Sequence, residues 1–236
     1  MAMGPDALVT QLRSAYGAQL ACVVLYGSAA TGEHVEGKAD YNVLVLLDEI
    51  AASGWAAASP VMRAWRDAGN PPPWTMTVRE WHRSADMFPM EYADILEQHR
   101  VLYGAPPFDG ITIAREQLRH QLEQQVMGTL LQLRQGALLA VGDGTQQVAL
   151  IAEGFSTMMV LFRGLVRLAG DAPSGDDTAI ASRVAHIAGF DPSAFICAAQ
   201  HHRGVAHIAP DDAGAVLTGY LSGLERLDAF LDSFTM

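Results

Sequence analysis

Apolar positions follow two different patterns along this chain, and the change between them divides it. Leu8, Leu12 and Tyr16 recur every four positions, which predicts a short helix over 5–18. Cys22-Val23-Val24-Leu25-Tyr26 is then an unbroken β-rich run, stopped by Gly27-Ser28. A second strand spans 40–47, and its Val43–Leu47 stretch is apolar without alternation, as in a strand covered on both faces. Ser59-Pro60 has the form of a helix start, which predicts a helix from there to about Ala68, closed by Gly69. Pro71-Pro72-Pro73 excludes helix and leads into a third strand, Trp74–Val78. Residues 79–97 read as helix broken near Phe88-Pro89, and Arg100–Tyr103 as a fourth strand closed by Gly104.

Beyond Ala105-Pro106-Pro107 the strand signals stop. Helical periodicity covers 114–140, 145–169, 176–188, 192–202 and about 211–232, with Gly142-Asp143-Gly144 between the first two. The expected fold is therefore α+β. A mixed sheet with flanking helices occupies 1–106, and an α-helical bundle occupies 107–236.

Composition narrows the function classes. Half of the 236 residues are hydrophobic, enough for a full core without staples. The net charge is −11, and Lys38 is the sole lysine among fifteen basic residues. An acidic chain without a basic run argues against nucleic acid as a partner, because that affinity comes from neutralising phosphates. The most apolar helix, near 148–168, carries Glu153, Arg163 and Arg167, and no signal-peptide core opens the chain. The expectation is a cytoplasmic protein with no membrane partner. Cys22 and Cys197 lie far apart in apolar surroundings and read as buried free thiols.

One stretch carries chemistry. Leu25-Tyr26-Gly27-Ser28 is followed, after eleven residues, by Asp40-Tyr41-Asn42 and then by apolar Val43-Leu44-Val45. A strand ending in Gly-Ser lets backbone approach a ligand closely, and a hydroxyl beside exposed N–H groups at a following helix start favours phosphate. Asp40 and Asn42 are two apart on a strand, so their oxygens share a face. Two oxygen ligands beside a phosphate-binding turn are half of a magnesium–nucleotide site.

The stretch resembles the signature of the DNA polymerase β-like nucleotidyltransferase superfamily, a Gly-Ser pair followed by Asp-x-Asp or Asp-x-Glu on a strand. The layout resembles its kanamycin-type antibiotic nucleotidyltransferases, and the helical half resembles a HEPN bundle. The resemblance implies transfer of a nucleoside monophosphate from an NTP, ATP first, to a small-molecule or protein hydroxyl. It assigns Gly27 and Ser28 to the nucleotide phosphates, and Asp40 and Asn42 to catalysis and Mg²⁺. A third carboxylate is expected on a neighbouring strand.

Two features depart from that signature. Position 42 is Asn where the family carries an acid, so one anionic metal ligand becomes a neutral amide. The Trp74–Val78 strand offers Thr75 and Thr77 but no acid; the nearest is Glu80, with Asp86 and Glu91 further on. Metal binding and catalysis are expected to be weakened. The alternative reading is a catalytically inactive protein that binds a nucleotide or a partner in a regulatory role. Apolar helix faces leave a homodimer open. Arg203 and His207 resemble the HEPN ribonuclease pair, but only three residues intervene, fewer than that motif has.

Overall fold

The computed structural model describes residues 3–31, 41–173 and 176–234, and within it the chain forms two compact units, Met1–Ile113 and Ala114–Met236.

The first unit is built on a mixed four-stranded sheet in the order β3-β2-β1-β4. Its strands are β1 (Leu20–Tyr26), β2 (Asn42–Leu47), β3 (Trp74–Thr77) and β4 (His99–Gly104). β1 pairs antiparallel with β2 and with β4, whereas β2 and β3 run parallel. The unbroken apolar runs follow from this arrangement, because both faces of the central strands are covered. Val23, Leu25, Val43, Val45 and Leu47 meet Leu8 and Leu12 of α1 (Pro5–Tyr16) and Val61 and Trp65 of α3 (Ala52–Asp67). On the other face, Cys22, Val24, Leu44 and Leu46 meet Trp81 of α4 (Val78–Arg83) and Tyr92 and Ile95 of α5 (Pro89–Glu97). Trp81 and Tyr92 stack at 4.0 Å, and the Tyr92 hydroxyl donates to the Trp81 carbonyl at 2.6 Å.

The α3 helix differs from expectation. It begins at Ala52, and Pro60 lies inside it rather than at its start. Ala58, Val61 and Trp65 form one buried face across the proline, so core packing carries the helix through a residue that would otherwise break it. Ser59 caps nothing there, and its hydroxyl instead accepts from Arg63 at 2.8 Å. The sequence also sets the division at the prolines of 105–107, but the chain divides after Ile113. Phe108, Ile111 and Ile113 pack onto the Trp81–Tyr92 core and so hold 107–113 to the sheet.

The second unit is helical: α6 (Arg115–Leu139), α7 (Gly144–Leu168), α8 (Asp177–Ala188), α9 (Ser193–His202) and α10 (Ala213–Ser233). By length and composition α7 could cross a bilayer. It packs against α6, α8, α9 and α10, however, and buries Phe155, Met158, Met159, Leu161 and Phe162, which is the behaviour of a core helix. Several arginines of α6 and α7 are engaged within the second unit. Arg163 pairs with Asp177 at 2.9 Å, Arg134 with Glu225 at 2.8 Å, and Arg119 with Glu123. Arg115 donates to the Leu168 carbonyl at 2.8 Å. Both cysteines are free thiols, but only Cys22 is buried, which pushes its pKa up to about 11; Cys197 is half-buried.

Candidate functional site

The Gly-Ser turn and the start of β2 meet at one end of the sheet. Tyr26, the last residue of β1, pairs with Asn42, the first of β2. The chain then reverses at Gly27, whose φ of +76° lies in the left-handed region that glycine adopts without strain. Two hydrogen bonds hold the reversal. The Gly27 N–H donates to the Gln98 carbonyl at 3.1 Å, and its carbonyl accepts from Ala30 at 2.9 Å. A Cβ on Gly27 would lie 3.5 Å from Asn42 Nδ2, so turn and amide are in van der Waals range. The Ser28 backbone opens α2 (Ser28–Thr31), a single turn and too short to present a developed helix dipole. Of Ser28 only the backbone is described, and Asp40 lies outside the described residues.

Sheet register decides the fate of Glu80. In the parallel β2–β3 pair, Thr77 stands opposite Leu47. At about 3.3 Å per residue, Thr77 is roughly 16 Å along the strand from the Asn42 end. Glu80 follows Thr77, and its carboxylate is already engaged. It accepts from the Thr77 N–H at 2.7 Å and from the Thr77 hydroxyl at 2.9 Å, closing the capping box of α4. Those bonds hold its carboxyl below the usual range. Glu80 is a helix cap at the far end of β2, not a relocated ligand.

The acids near the Asn42 end come from α5. Burial, then Asp94 and Glu91, push the Tyr26 phenol up to about 12. Asp94 and Glu91 are three apart on one helix face, and both are half-buried. Helix α5 leads into Gln98, whose carbonyl holds the Gly27 turn, and His99 pairs with Tyr26. Along the sequence Glu91 lies further from the motif than Glu80, and no spacing marks Asp94. Their placement follows from β4 returning antiparallel beside β1, which the sequence does not reveal.

Magnesium fits the described residues poorly. Asn42 contributes a neutral oxygen and β3 contributes no acid. Among the described residues no group of three or more His, Cys, Asp or Glu side chains could hold a metal ion. The HEPN-like pair is likewise occupied elsewhere, since Arg203 bonds Asp176 at 2.9 Å and the His207 ring packs edge-on to His201 at 5.7 Å.

One similar solved structure is a spectinomycin adenyltransferase from Enterococcus faecialis, crystallised with ATP and spectinomycin. It is 10% identical, with 92% of this chain and 96% of that one covered, at a TM-score of 0.60. The chain has a nucleotidyltransferase-like fold. No protein-family profile matches the sequence, and no curated protein matches it. The likeness therefore rests on the course of the backbone. Within that nucleotidyltransferase-like fold, the Gly27 turn and the Asn42 end of β2 are the elements that the sequence signature singles out.

Proposed function

We propose that this protein binds a nucleoside triphosphate, with ATP the first candidate, at the Gly27–Ser28 turn, and that its nucleotidyl-transfer capacity is strongly reduced. The supporting observation is the Gly27 reversal, held open at positive φ directly against the Asn42 end of β2. The shared fold adds support, because the similar adenyltransferase was solved with ATP. In this reading the open backbone at Gly27 accepts phosphate oxygens, and Ser28 contributes its hydroxyl. Asp40 supplies the one anionic group of the motif, and Asn42 a neutral oxygen. The acceptor would be a small-molecule or protein hydroxyl.

Reduced catalysis follows from charge. A transferring phosphoryl group needs cationic neutralisation, and the carboxylates that would hold cations are depleted. Asn42 replaces one, β3 carries none, and Glu80 is committed to a cap. The same depletion favours a second reading, a nucleotide- or partner-binding regulatory protein without chemistry.

Calorimetric titration of ATP and GTP, each with and without Mg²⁺, on wild type and Asn42→Asp separates these readings. The proposal expects ATP binding by wild type with little metal dependence, and a gain of Mg²⁺ dependence in Asn42→Asp. Pyrophosphate release lost in Asp40→Ala would establish residual transfer; binding with no release would favour the regulatory reading. Absence of nucleotide binding under every condition would overturn the first reading and leave only the partner-binding form of the second.

A further inference from the structure

Asn70 is one of two buried polar residues among those described, at 8% exposure, and no motif singles it out. Its side-chain Oδ1 accepts from the backbone N–H of Tyr41 at 3.3 Å, across 29 positions of sequence. Tyr41 is the middle residue of Asp40-Tyr41-Asn42. The β1–β2 ladder reaches Asn42, and the β2–β3 ladder only Leu44, so Tyr41 lies just outside both. The Asn70 amide thus extends the pairing of β2 by one hydrogen bond at the end where the Gly27 turn lies.

The surroundings fix that amide. Helix α3 ends at Asp67; Gly69, two residues on at φ +91°, turns the chain inward, and the Asn70 N–H returns to the Trp65 carbonyl at 3.4 Å. Nδ2 of Asn70 donates to the same carbonyl at 3.5 Å, which leaves Oδ1 directed at Tyr41. Trp65 is fully buried, and its indole N–H donates to the Pro71 carbonyl at 2.8 Å. Pro71-Pro72-Pro73 follows with no backbone N–H to compete for the oxygen. Tyr41 and Trp65 also meet ring to ring at 6.1 Å. A buried side chain with donor and acceptor both engaged specifies one geometry, because any other arrangement leaves a dry polar atom unpaired.

We propose that Asn70 is a positioning residue for the nucleotide site, holding Tyr41 and with it the Asn42 start of β2 in place through the Tyr41 amide. The functional half of this statement rests on the nucleotide-binding reading above; the structural half does not. The full chain, isotopically labelled, is compared as wild type, Asn70→Leu and Asn70→Asp. Val61→Ala serves as a core-truncated control on α3, the helix that precedes Asn70. Amide exchange at Tyr41 and ATP affinity are measured for each.

Asn70→Asp, compared at a pH low enough to protonate its carboxyl, keeps both the acceptor toward Tyr41 and a donor toward the Trp65 carbonyl, and should keep Tyr41 protected. Asn70→Leu removes it and should speed Tyr41 exchange at least about tenfold relative to the β1 amides, with Val61→Ala unaffected at that position. ATP affinity should fall about fivefold in Asn70→Leu, the size of one neutral hydrogen bond, and stay unchanged in Val61→Ala at matched stability. Unchanged Tyr41 exchange in Asn70→Leu, or an equal loss of ATP affinity in the control, overturns the proposal. If wild type binds no ATP, the nucleotide reading falls, and Tyr41 exchange alone decides for or against Asn70. If Asn70→Leu fails to fold, loss of Tyr41 protection in Asn70→Asp likewise overturns the proposal.

Discussion

Replacing Gly27 with alanine tests whether the turn is conformationally, rather than sterically, reserved for glycine. A side chain at φ +76° costs about 1–2 kcal/mol in the left-handed region. Alanine returns about 0.4–1 kcal/mol by narrowing the unfolded ensemble. Sterics add nothing, because the new Cβ would meet Asn42 Nδ2 at an ordinary 3.5 Å. Escape to negative φ would break the bonds to Gln98 and from Ala30, at about 1 kcal/mol each, so the strained turn persists. The expected net loss is about 1 kcal/mol. Gly104 provides the contrast. Its φ is +73°, and an added Cβ would lie 2.0 Å from the Ala21 carbonyl oxygen. Backbone cannot yield there without parting β4 from β1, so Gly104→Ala should lose at least about 3 kcal/mol. All four tryptophans lie between residues 55 and 81, so urea unfolding followed by tryptophan fluorescence reports the first unit alone. Equal losses in the two variants, or a stabilised Gly27→Ala, would refute the reasoning.

Glu80→Gln should weaken the α4 cap, lowering first-unit stability by about 0.5 kcal/mol in urea titration, and leave ATP affinity unchanged; a loss of ATP binding would return Glu80 to the site. Tyr26 should ionise near pH 12, and absorbance at the tyrosinate band, compared with Tyr26→Phe, reads it directly. Its raised folded pKa makes it a stabilising group that is fully effective below about 10 and lost as pH climbs through 12. Asp94→Asn should lower that value without restoring 10, because burial is the larger cause. Asp176 caps α8 through bonds from Thr178 and Ala179 and pairs with Arg203, which together hold its carboxyl well below the usual carboxylate range. Asp176→Ala should cost the second unit about 0.5–2 kcal/mol at pH 7 by circular dichroism. Because the folded pKa is depressed, that difference should shrink as pH falls below about 3.9; growth in acid would contradict it.

Strands β1 and β2 were legible because their apolar runs are continuous, and continuity is what two covered faces demand of Val43–Leu47. The long helices of the second unit were legible for the complementary reason, a sustained helical period. The start of α3 was not, since Ser59-Pro60 carries the local chemistry of a helix start while tertiary packing at Ala58, Val61 and Trp65 overrides it. Of the candidate site, the spacing marks Gly27 and Asn42; in the structure Asn42 pairs with Tyr26, and the Gly27 turn follows within van der Waals range of the Asn42 amide. Glu80 could be placed only once β2 and β3 were known to run parallel, because the opposite sense would have brought it toward Asn42. Asn70 carried no sequence signal. It is a loop residue whose partner is 29 positions away, and only the inward turn at Gly69 brings the two together.

Among the described residues the sheet has two open margins, and each is defended against recruiting a further strand. β3 offers only four residues, and the three prolines before it have no N–H with which to begin a ladder. β4 is longer, but it exposes His99 and Arg100. A chain approaching that margin must desolvate a guanidinium before it gains its first backbone bond. The buried apolar strands β1 and β2, the segments most able to seed fibrillar stacking, are thereby flanked by neighbours that terminate growth. Colloidal stability at high concentration is thus written into the order of the strands, and removing the Arg100 charge would expose the protein to self-association before it lost its fold.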